Sequence, residues 1–407
     1  MVTTSSSRVP APRPTARPEP STGAAPVGQG VRAPRLYSMD GLRFLAAWGV
    51  LLYHFTTRWS SAWGTDPGEV FPAFGQVAMY FALAPELFFL ISGFVILWTA
   101  WGRSVPAVVA SRLARLYPTY WAALALTSFL LLVVWPEGKR ISLTEVAVNV
   151  TLLQEAFGVR HVDGVYWTLW TELRFYLLIV LFVAIGITRR RVLVFAAAWP
   201  VVALLVQVAG WQTAEMLLIS RYAPLFAGGM LLYLIHRDGH RLVPWLLVGG
   251  NLVLAIYHVV PAQMASLGRN TAFDPSPVLL GLVVVACFVT VAALSMTRLS
   301  RVSWPALTAM GALTYPLYLI HEFWGWWVIH LLHDVLPVWL TLAAACLASF
   351  ALAWLIHHGV EKRVNLPARR WLERRLTQAF GRRDRSRAEE VTPREARRPV
   401  PVGASPP

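Results

Sequence analysis

Long apolar stretches, each about the length needed to cross a membrane, recur along most of the chain. A spanning helix needs roughly 20 mostly apolar residues, and ten such stretches are separated by short polar segments. This pattern predicts an all-α, polytopic integral membrane protein with about ten transmembrane helices. The predicted helical segments are 42–57, 78–101, 116–135, 166–187, 191–209, 214–236, 242–260, 278–296, 311–333 and 336–358.

The apolar pattern also divides the chain into three parts. Residues 1–35 are rich in proline and arginine and have no apolar core, which is typical of a disordered tail. Residues 36–360 form the predicted membrane domain. Residues 361–407 are basic and are predicted to be a flexible cytoplasmic tail. The two halves of the membrane domain show no internal repeat.

Positive charge alternates between successive connecting segments, and this alternation predicts the orientation. Arginines are dense on one side, in the N-tail, around 103–115, at 189–191, at 237–241, at 298–301 and in the C-tail. The opposite side carries few, and it includes the long connecting segment 136–165. Because cytoplasmic loops carry the excess of basic residues, both termini are predicted to be cytoplasmic, with the protein in the cell's inner, cytoplasmic membrane.

Composition supports the membrane assignment. The 407 residues are 56% hydrophobic and only 14% charged, whereas soluble domains carry about 25% charged residues. The formal net charge of +15 is concentrated in the tails. No nucleic-acid recognition module accompanies it, so an anionic bilayer is the expected partner and nucleic acid is not. Cys287 and Cys346 lie in apolar runs and are interpreted as packing residues, so no metal site is expected.

Ionisable residues within the apolar segments are functional candidates, because a charge inside the bilayer is costly. Arg43 lies near the start of the first segment, and His54 follows eleven residues later, about 16 Å along the helix and on the same face. By depth, His54, Glu86 and Glu172 share the outer half, and they are the predicted catalytic residues. An imidazole beside a carboxylate is the usual general-base pair.

A second layer of candidates lies at the inner surface. Arg43, Arg112 and Arg115 cluster there, and clustered arginines bind phosphates through bidentate hydrogen bonds. Each arginine alone is as readily an interfacial anchor, and the two glutamates could instead pair with Arg221 or Arg174 for structure only. His321 and Glu322 lie near mid-depth, where they would close the site.

Six blocks of residues, in this order, resemble the bacterial acyltransferase 3 family of multi-pass membrane O-acyltransferases. The resemblance covers about 37–360, and because only about 50 residues follow the last predicted helix, the esterase-like domain that some members carry is not expected here. One block departs from the family pattern, because Leu173 and Arg174 replace an acid and a glutamine. The blocks are Arg43 with His54, 86–94, 112–118, 167–176, 221–229 and 315–321.

The resemblance implies a role for each matching residue. It implies that His54 is catalytic, that Arg43 is essential, and that Arg112 and Arg115 contact an acyl-CoA donor. The later blocks suggest Arg221, Tyr315 and His321 as acceptor-binding or supporting residues. Whether His54 acts as a general base or carries the acyl group itself stays open.

The expected function is therefore O-acyl transfer, and the expected acyl group is acetyl. The expected co-substrate is acyl-CoA, in the form of acetyl-CoA, and no bound cofactor is expected. This is an enzyme that transfers acyl groups other than amino-acyl groups. The acceptor is a sugar, a polysaccharide or a glycosylated metabolite. The alternative is a ten-helix secondary transporter, in which Pro85, Pro224 and Pro316 would break helices. The absence of a repeat between the halves counts against that alternative.

Overall fold

The computed structural model describes the fold of residues 36–391 and the side chains of residues 36–380. The tail 1–35, for which disorder was predicted, lies outside the described residues, as do residues 392–407. Within the described range the chain is helical and contains no strand. The long helices are α1 Tyr37–Thr56, α2 Ala84–Ala100, α3 Val105–Phe129, α4 Trp167–Ala184, α5 Arg189–Val208, α6 Ala223–Asp238, α7 Leu242–Asn270, α8 Pro277–Met296, α9 Pro305–Leu332, α10 Val338–Ile356 and α11 Lys362–Val391.

Each of the ten predicted segments overlaps one of the helices α1 to α10, but the bounds differ. Helix α3 begins at Val105 and not at 116, and the sixth segment is divided into a short helix, Gln212–Leu218, and α6. In the described part of the chain, eight helical segments are long and apolar enough to cross a membrane. The chain is therefore a multi-pass, all-helical membrane protein. The helices that fall outside those eight are α1 and α9, which carry the polar residues His54, His321 and Glu322. The count of ten spans and the orientation stay predictions.

The centre of the bundle is α6, whose residues from Ala223 to Ile235 are all buried. A helix that is apolar on all sides belongs inside a bundle, and α6 packs against α2, α5, α7 and α8. The outer helices instead expose large apolar side chains, for example Leu205 on α5, Val253 on α7 and Leu347 on α10. These exposed side chains suit contact with lipid.

Two glycines allow α2 and α6 to cross backbone to backbone. A Cβ atom at Gly93 would clash with the carbonyl oxygen of Phe226, and one at Gly229 would clash with the carbonyl oxygen of Leu90. Small residues at such crossings are typical of membrane helices, where close van der Waals contact drives association. This contact fixes α2, and with it Glu86, against the central helix.

The prolines begin helices more often than they interrupt them. Pro85 and Pro224 lie in the first turns of α2 and α6, where the missing amide hydrogen has no partner in any case. Pro316 lies within α9, which continues through it. The chain is nevertheless interrupted just ahead of Pro85 and Pro224, because a 3₁₀ turn, Met79–Leu83, precedes α2 and a separate short helix, Gln212–Leu218, ends before α6.

The segment after α10 differs from a simple tail. A π-helical turn, His357–Glu361, joins α10 to α11, and α11 packs against α3. Lys362–Val391 is thus helical in a region for which a flexible tail was predicted. The last helix therefore packs against the helix that carries Arg112 and Arg115.

The crossing of α2 and α6 leads to a stability prediction. Gly229→Ala should lower the free energy of unfolding by about 1–3 kcal/mol, because the new methyl group forces two backbones apart. The apparent melting temperature of the detergent-solubilised protein measures this effect.

Gly249→Ala is the matched control, since a Cβ atom at Gly249 in α7 meets no neighbouring atom. It should leave the melting temperature unchanged or raise it slightly, because alanine favours helix. Equal behaviour of the two variants would show that the close crossing is not a stabilising contact.

Candidate active site

Three spaces in the bundle adjoin one another through shared lining residues. The first, the arginine cavity, has a volume of about 100 Å³ and is lined by Arg43, Arg115, Glu172, Tyr176 and Tyr315, among other residues. Its residues come from α1, α2, α3, α4 and α9, so five helices contribute to it. Glu172 accepts a hydrogen bond from the Ser92 hydroxyl at 3.2 Å. The cavity thus combines two guanidinium groups with one carboxylate.

The second space, the histidine cavity, has a volume of about 150 Å³. His54, Tyr53 and Arg58 line it from the end of α1, and Glu322 lines it from α9. The His54 and Glu322 side chains are almost entirely buried, with relative exposures of 7% and 2%. Among the described residues that line the three spaces, only those of the histidine cavity include an imidazole beside a carboxylate.

A wall of two hydroxyl groups separates these cavities. Tyr318 lines both of them, and Thr168 lines the arginine cavity. The Thr168 hydroxyl donates a hydrogen bond to the Tyr318 hydroxyl at 3.0 Å. The Tyr318 hydroxyl in turn lies 3.4 Å from the Val165 carbonyl oxygen, to which it donates. One tyrosine side chain therefore stands between the arginines and His54.

The third space, the polar chamber, is larger and more open, with a volume of about 490 Å³. It is lined by Glu86, Trp167, Arg174, Arg221, Tyr222 and Gln263, among other residues. Trp167, Gln263 and Ser266 line both the polar chamber and the histidine cavity. The histidine cavity therefore lies between the arginine cavity and the polar chamber.

Helix α9 packs closely against α1 and sets the position of His54. A Cβ atom at Gly325 would overlap the Phe55 ring, so glycine is required for this approach. Two indoles then bond the last carbonyl groups of α1, which have no partner within the helix. Trp326 Nε1 donates to the His54 carbonyl oxygen at 2.9 Å, and Trp63 Nε1 donates to that of Phe55 at 2.8 Å.

The hydrogen bonds of the two histidines define which nitrogens carry protons. His54 Nδ1 lies 2.9 Å from the Val50 carbonyl oxygen, and His321 Nδ1 lies 2.9 Å from that of Tyr318. A carbonyl oxygen only accepts, so both Nδ1 atoms must donate. The His321 Nε2 lone pair then faces His54 Nδ1 at 3.2 Å. In its neutral form, His54 therefore has its free lone pair on Nε2, as a general base requires.

Glu322 is the carboxylate nearest to that lone pair. Its Oε2 atom lies 3.9 Å from His54 Nε2, and its Oε1 atom lies 3.8 Å from Arg58 Nε. If His54 Nε2 gains a proton, Glu322 and His321 lie on the two sides of the resulting imidazolium. A buried positive charge needs such partners.

The segment between α3 and α4 brings a second carboxyl group to Glu322. Asn149, fully buried, holds this segment together, because its amide donates to the carbonyl oxygens of Glu145 and Arg160. Lys139 Nζ donates to the His161 carbonyl oxygen at 2.7 Å. The segment ends at Asp163, which is buried and accepts the Val165 amide hydrogen through Oδ1 at 3.1 Å.

The two carboxyl groups share a hydrogen bond. Burial and the Glu322 carboxylate raise the pKa of Asp163 well above its ordinary value. The raised pKa favours the protonated form of Asp163, and in that form its carboxyl group can donate to the Glu322 carboxylate. Burial also lowers the pKa of Lys139, against the attraction of Asp163 and Glu322.

The structure groups some of the predicted residues and separates others. His54 and His321 are in contact, and Arg43, Arg115, Glu172 and Tyr315 share the arginine cavity. Arg112 is buried beside this cavity, where it donates to the Thr99 hydroxyl and lies 5.7 Å from the Tyr176 ring centre. Glu86 and Arg221 lie in the polar chamber.

The expected pairing of His54 with Glu86 or Glu172 is absent from the hydrogen bonds and ion pairs of residues 36–380. Glu86 bonds to Gln263, Glu172 bonds to Ser92, and Glu322 takes the place beside His54. Depth along each helix, the basis of the sequence argument, says nothing about which way a side chain points around the helix axis. Glu322 was visible as the neighbour of His321, whereas Asp163 and Arg58 carried no signal in the sequence.

The described part of the chain contains no cluster of side chains that could bind a metal ion. No group of three or more histidine, cysteine, aspartate or glutamate side chains there is arranged to hold a metal ion. Cys287 and Cys346 are both free and buried.

The fold and the cavities define a multi-pass membrane protein with a buried acid–base site next to a cationic pocket. A family model described as an acyltransferase domain matches residues 36–358, which is most of the chain. The chain therefore belongs to the acyltransferase 3 family and is an acyl-transfer enzyme of the membrane. Neither a curated protein nor a solved structure shows significant similarity to it.

The shared proton between Asp163 and Glu322 leads to a prediction. Asp163→Asn should keep most of the activity, because the asparagine amide can donate to Glu322 as the protonated acid does. Asp163→Ala removes this donor and should destabilise the fold by about 1–3 kcal/mol. Acyl transfer and melting temperature in detergent measure the two effects.

The dependence on pH distinguishes a shared proton from simple packing. The pKa of Asp163 is higher in the folded protein than in the unfolded chain, where an aspartate has a pKa of about 3.9. The contribution of Asp163 to the free energy of unfolding therefore falls as the pH rises above that unfolded-state pKa. Asparagine has no such dependence. The melting temperature of Asp163→Asn relative to the native protein should therefore rise with pH. A difference that stays constant with pH would contradict the shared proton.

Proposed function

We propose that this protein is a membrane O-acyltransferase that moves an acyl group, expected to be acetyl, from cytoplasmic acyl-CoA to a hydroxyl group of a carbohydrate or sugar-bearing acceptor. The observation that carries the proposal is the adjacency of the arginine cavity and the histidine cavity, separated by Tyr318. A phosphate-bearing donor and a general base each have a place, and the two places adjoin.

The arginine cavity suits the donor end of the reaction. Arg115 lines this cavity and is exposed, and Arg43 lines the same cavity from α1. Guanidinium groups bind phosphates strongly and with defined geometry, so both are proposed to hold the phosphates of CoA, with Arg112 supporting them through Tyr176. This requires the arginine end to face the cytoplasm, in agreement with the orientation predicted from the basic loops. The proposed location is the cell's inner membrane.

The chemical step is proposed to take place at His54. His54 Nε2 takes the proton of the acceptor hydroxyl as its oxygen attacks the thioester carbonyl carbon. A C–O bond forms, the C–S bond breaks, and the proton passes from the imidazolium to the CoA thiolate. The products are the ester and free CoA. Glu322 and His321, which lie beside the two ring nitrogens, would stabilise the imidazolium between these steps.

Loss of the base gives the most direct test of this proposal. His54→Ala should lower kcat for acyl transfer by about 10²- to 10⁴-fold, the usual contribution of a positioned general base. Binding of acetyl-CoA should persist, since the arginine cavity is intact. Release of CoA and formation of the ester are measured on purified protein in lipid nanodiscs. A His54→Ala protein that inserts normally and keeps native transfer activity would refute the mechanism.

The arginine cavity gives a second, independent prediction. Arg115→Ala should raise the KM for acetyl-CoA about tenfold or more, the effect of losing a hydrogen bond to a charged group. Arg115→Lys should restore only part of the affinity, because lysine lacks the planar fork.

Arg103→Ala is the matched control for Arg115. Arg103 is exposed in the turn between α2 and α3 and does not line the arginine cavity. Its removal should leave the KM unchanged. An equal change in both variants would indicate a general effect of surface charge and would contradict a specific phosphate contact.

A further inference from the structure

The polar chamber contains polar groups that the proposed chemical step does not use. Its volume of about 490 Å³ lies within the range of roughly 300–1,000 Å³ typical of small-molecule sites. It shares Trp167, Gln263 and Ser266 with the histidine cavity. A molecule in the chamber could therefore place one group beside His54 while the rest of it remains outside the histidine cavity.

Two buried polar atoms of the chamber's lining residues have no hydrogen-bond partner in the described part of the protein. Glu86 is 2% exposed; Gln263 Nε2 donates to its Oε1 atom at 2.7 Å, while Oε2 is unpaired. Arg174 donates to the Met216 carbonyl oxygen and to Thr171, but its Nε is unpaired. An unsatisfied buried polar group is costly. One acceptor and one donor in the wall of the chamber are therefore left without a partner.

The charges of the chamber argue against a strongly charged ligand. Its lining has three carboxylates, from Glu86, Glu155 and Glu215, and two guanidinium groups, from Arg174 and Arg221. The two signs nearly balance, so neither a polyanion nor a polycation is favoured. A hydroxyl group, in contrast, both donates and accepts, and a ring bearing several of them can satisfy both kinds of unpaired atom.

Aromatic rings form another part of the chamber wall. The ring centres of Trp167 and Tyr222 lie 5.4 Å apart, and their planes differ by 31°. The face of an aromatic ring is electron-rich, so it suits the weakly positive C–H groups on one side of a sugar ring. Trp167 also lines the histidine cavity, which places this surface next to the reacting centre.

We propose that the polar chamber is the acceptor site, and that it binds an uncharged, polyhydroxylated sugar ring with one hydroxyl bonded to Glu86. The ring packs against Trp167 and Tyr222, and a neighbouring hydroxyl extends past Gln263 to His54. This inference rests on the proposed acyl transfer and specifies where and how that reaction recognises its acceptor.

The test uses the full-length protein in nanodiscs with acetyl-CoA and methyl glycosides of neutral hexoses as probes. Free CoA and acetylated glycoside are measured together. Without glycoside, the native protein should release CoA slowly, because water then takes the place of the acceptor. With glycoside, it should also form the acetylated glycoside. Glu86→Gln should raise the KM for the glycoside about tenfold or more, since a hydrogen bond to a charged group is lost. Its KM for acetyl-CoA should change far less.

Two further variants separate recognition from folding. Tyr222→Leu removes an aromatic face without touching Glu86 and should also raise the KM for the glycoside. Glu69→Gln removes the same charge from an exposed position outside the chamber and should change neither KM. If Glu86→Gln fails to fold, Tyr222→Leu carries the test alone.

The outcomes distinguish this inference from the function on which it rests. If the native protein releases CoA but forms no acetylated glycoside, the sugar site is refuted and acyl transfer stands. The same conclusion follows if both chamber variants keep the native KM for the glycoside. If the native protein releases no CoA under any condition, the proposed function itself fails.

Discussion

The burial of Glu322 is the constraint on which the rest of the site depends. This carboxylate is 2% exposed within a helix of the membrane domain, and a charge buried there persists only with partners. Those partners come from distant parts of the chain. His54 lies in the last turn of α1, Arg58 lies just after that helix, and Asp163 ends the segment before α4. Satisfying one carboxylate therefore fixes α1, α9 and the 136–163 segment relative to one another.

The same contacts give the site a direction. Because backbone carbonyl groups of α1 and α9 hold the Nδ1 hydrogens of both histidines, the free lone pair of neutral His54 lies on Nε2. His321 is uncharged in this arrangement and acts as an oriented acceptor, while Glu322 supplies the charge. The two requirements of a general base, orientation and charge stabilisation, are thus divided between neighbouring residues of one helix.

The helices were predictable from the sequence, because hydrophobic length alone distinguishes a membrane helix. The grouping of Arg43 with Arg115 was predictable too, from the similar depth of both residues in the apolar pattern, although Arg115 lies within α3 and not before its first turn. The pairing of His54 was not. Glu86, Glu172 and Glu322 all have plausible depths, and only the packing of α1 on α9 through Gly325 selects Glu322. Asp163 depends on a folded connecting segment, which has no periodic pattern.

The order of the three spaces also bears on how such a site would avoid hydrolysis. A base beside a thioester activates water as readily as it activates an alcohol, so the base alone does not select the acceptor. Selection must come from holding one hydroxyl in the attacking position, where orientation is worth far more than concentration. Tyr318 and Thr168 close the histidine cavity on the arginine side, and the polar chamber adjoins it through Trp167 and Gln263. The donor and the acceptor would then occupy separate spaces, with Tyr318 between the proposed phosphate site and His54, and neither would have to leave before the other binds.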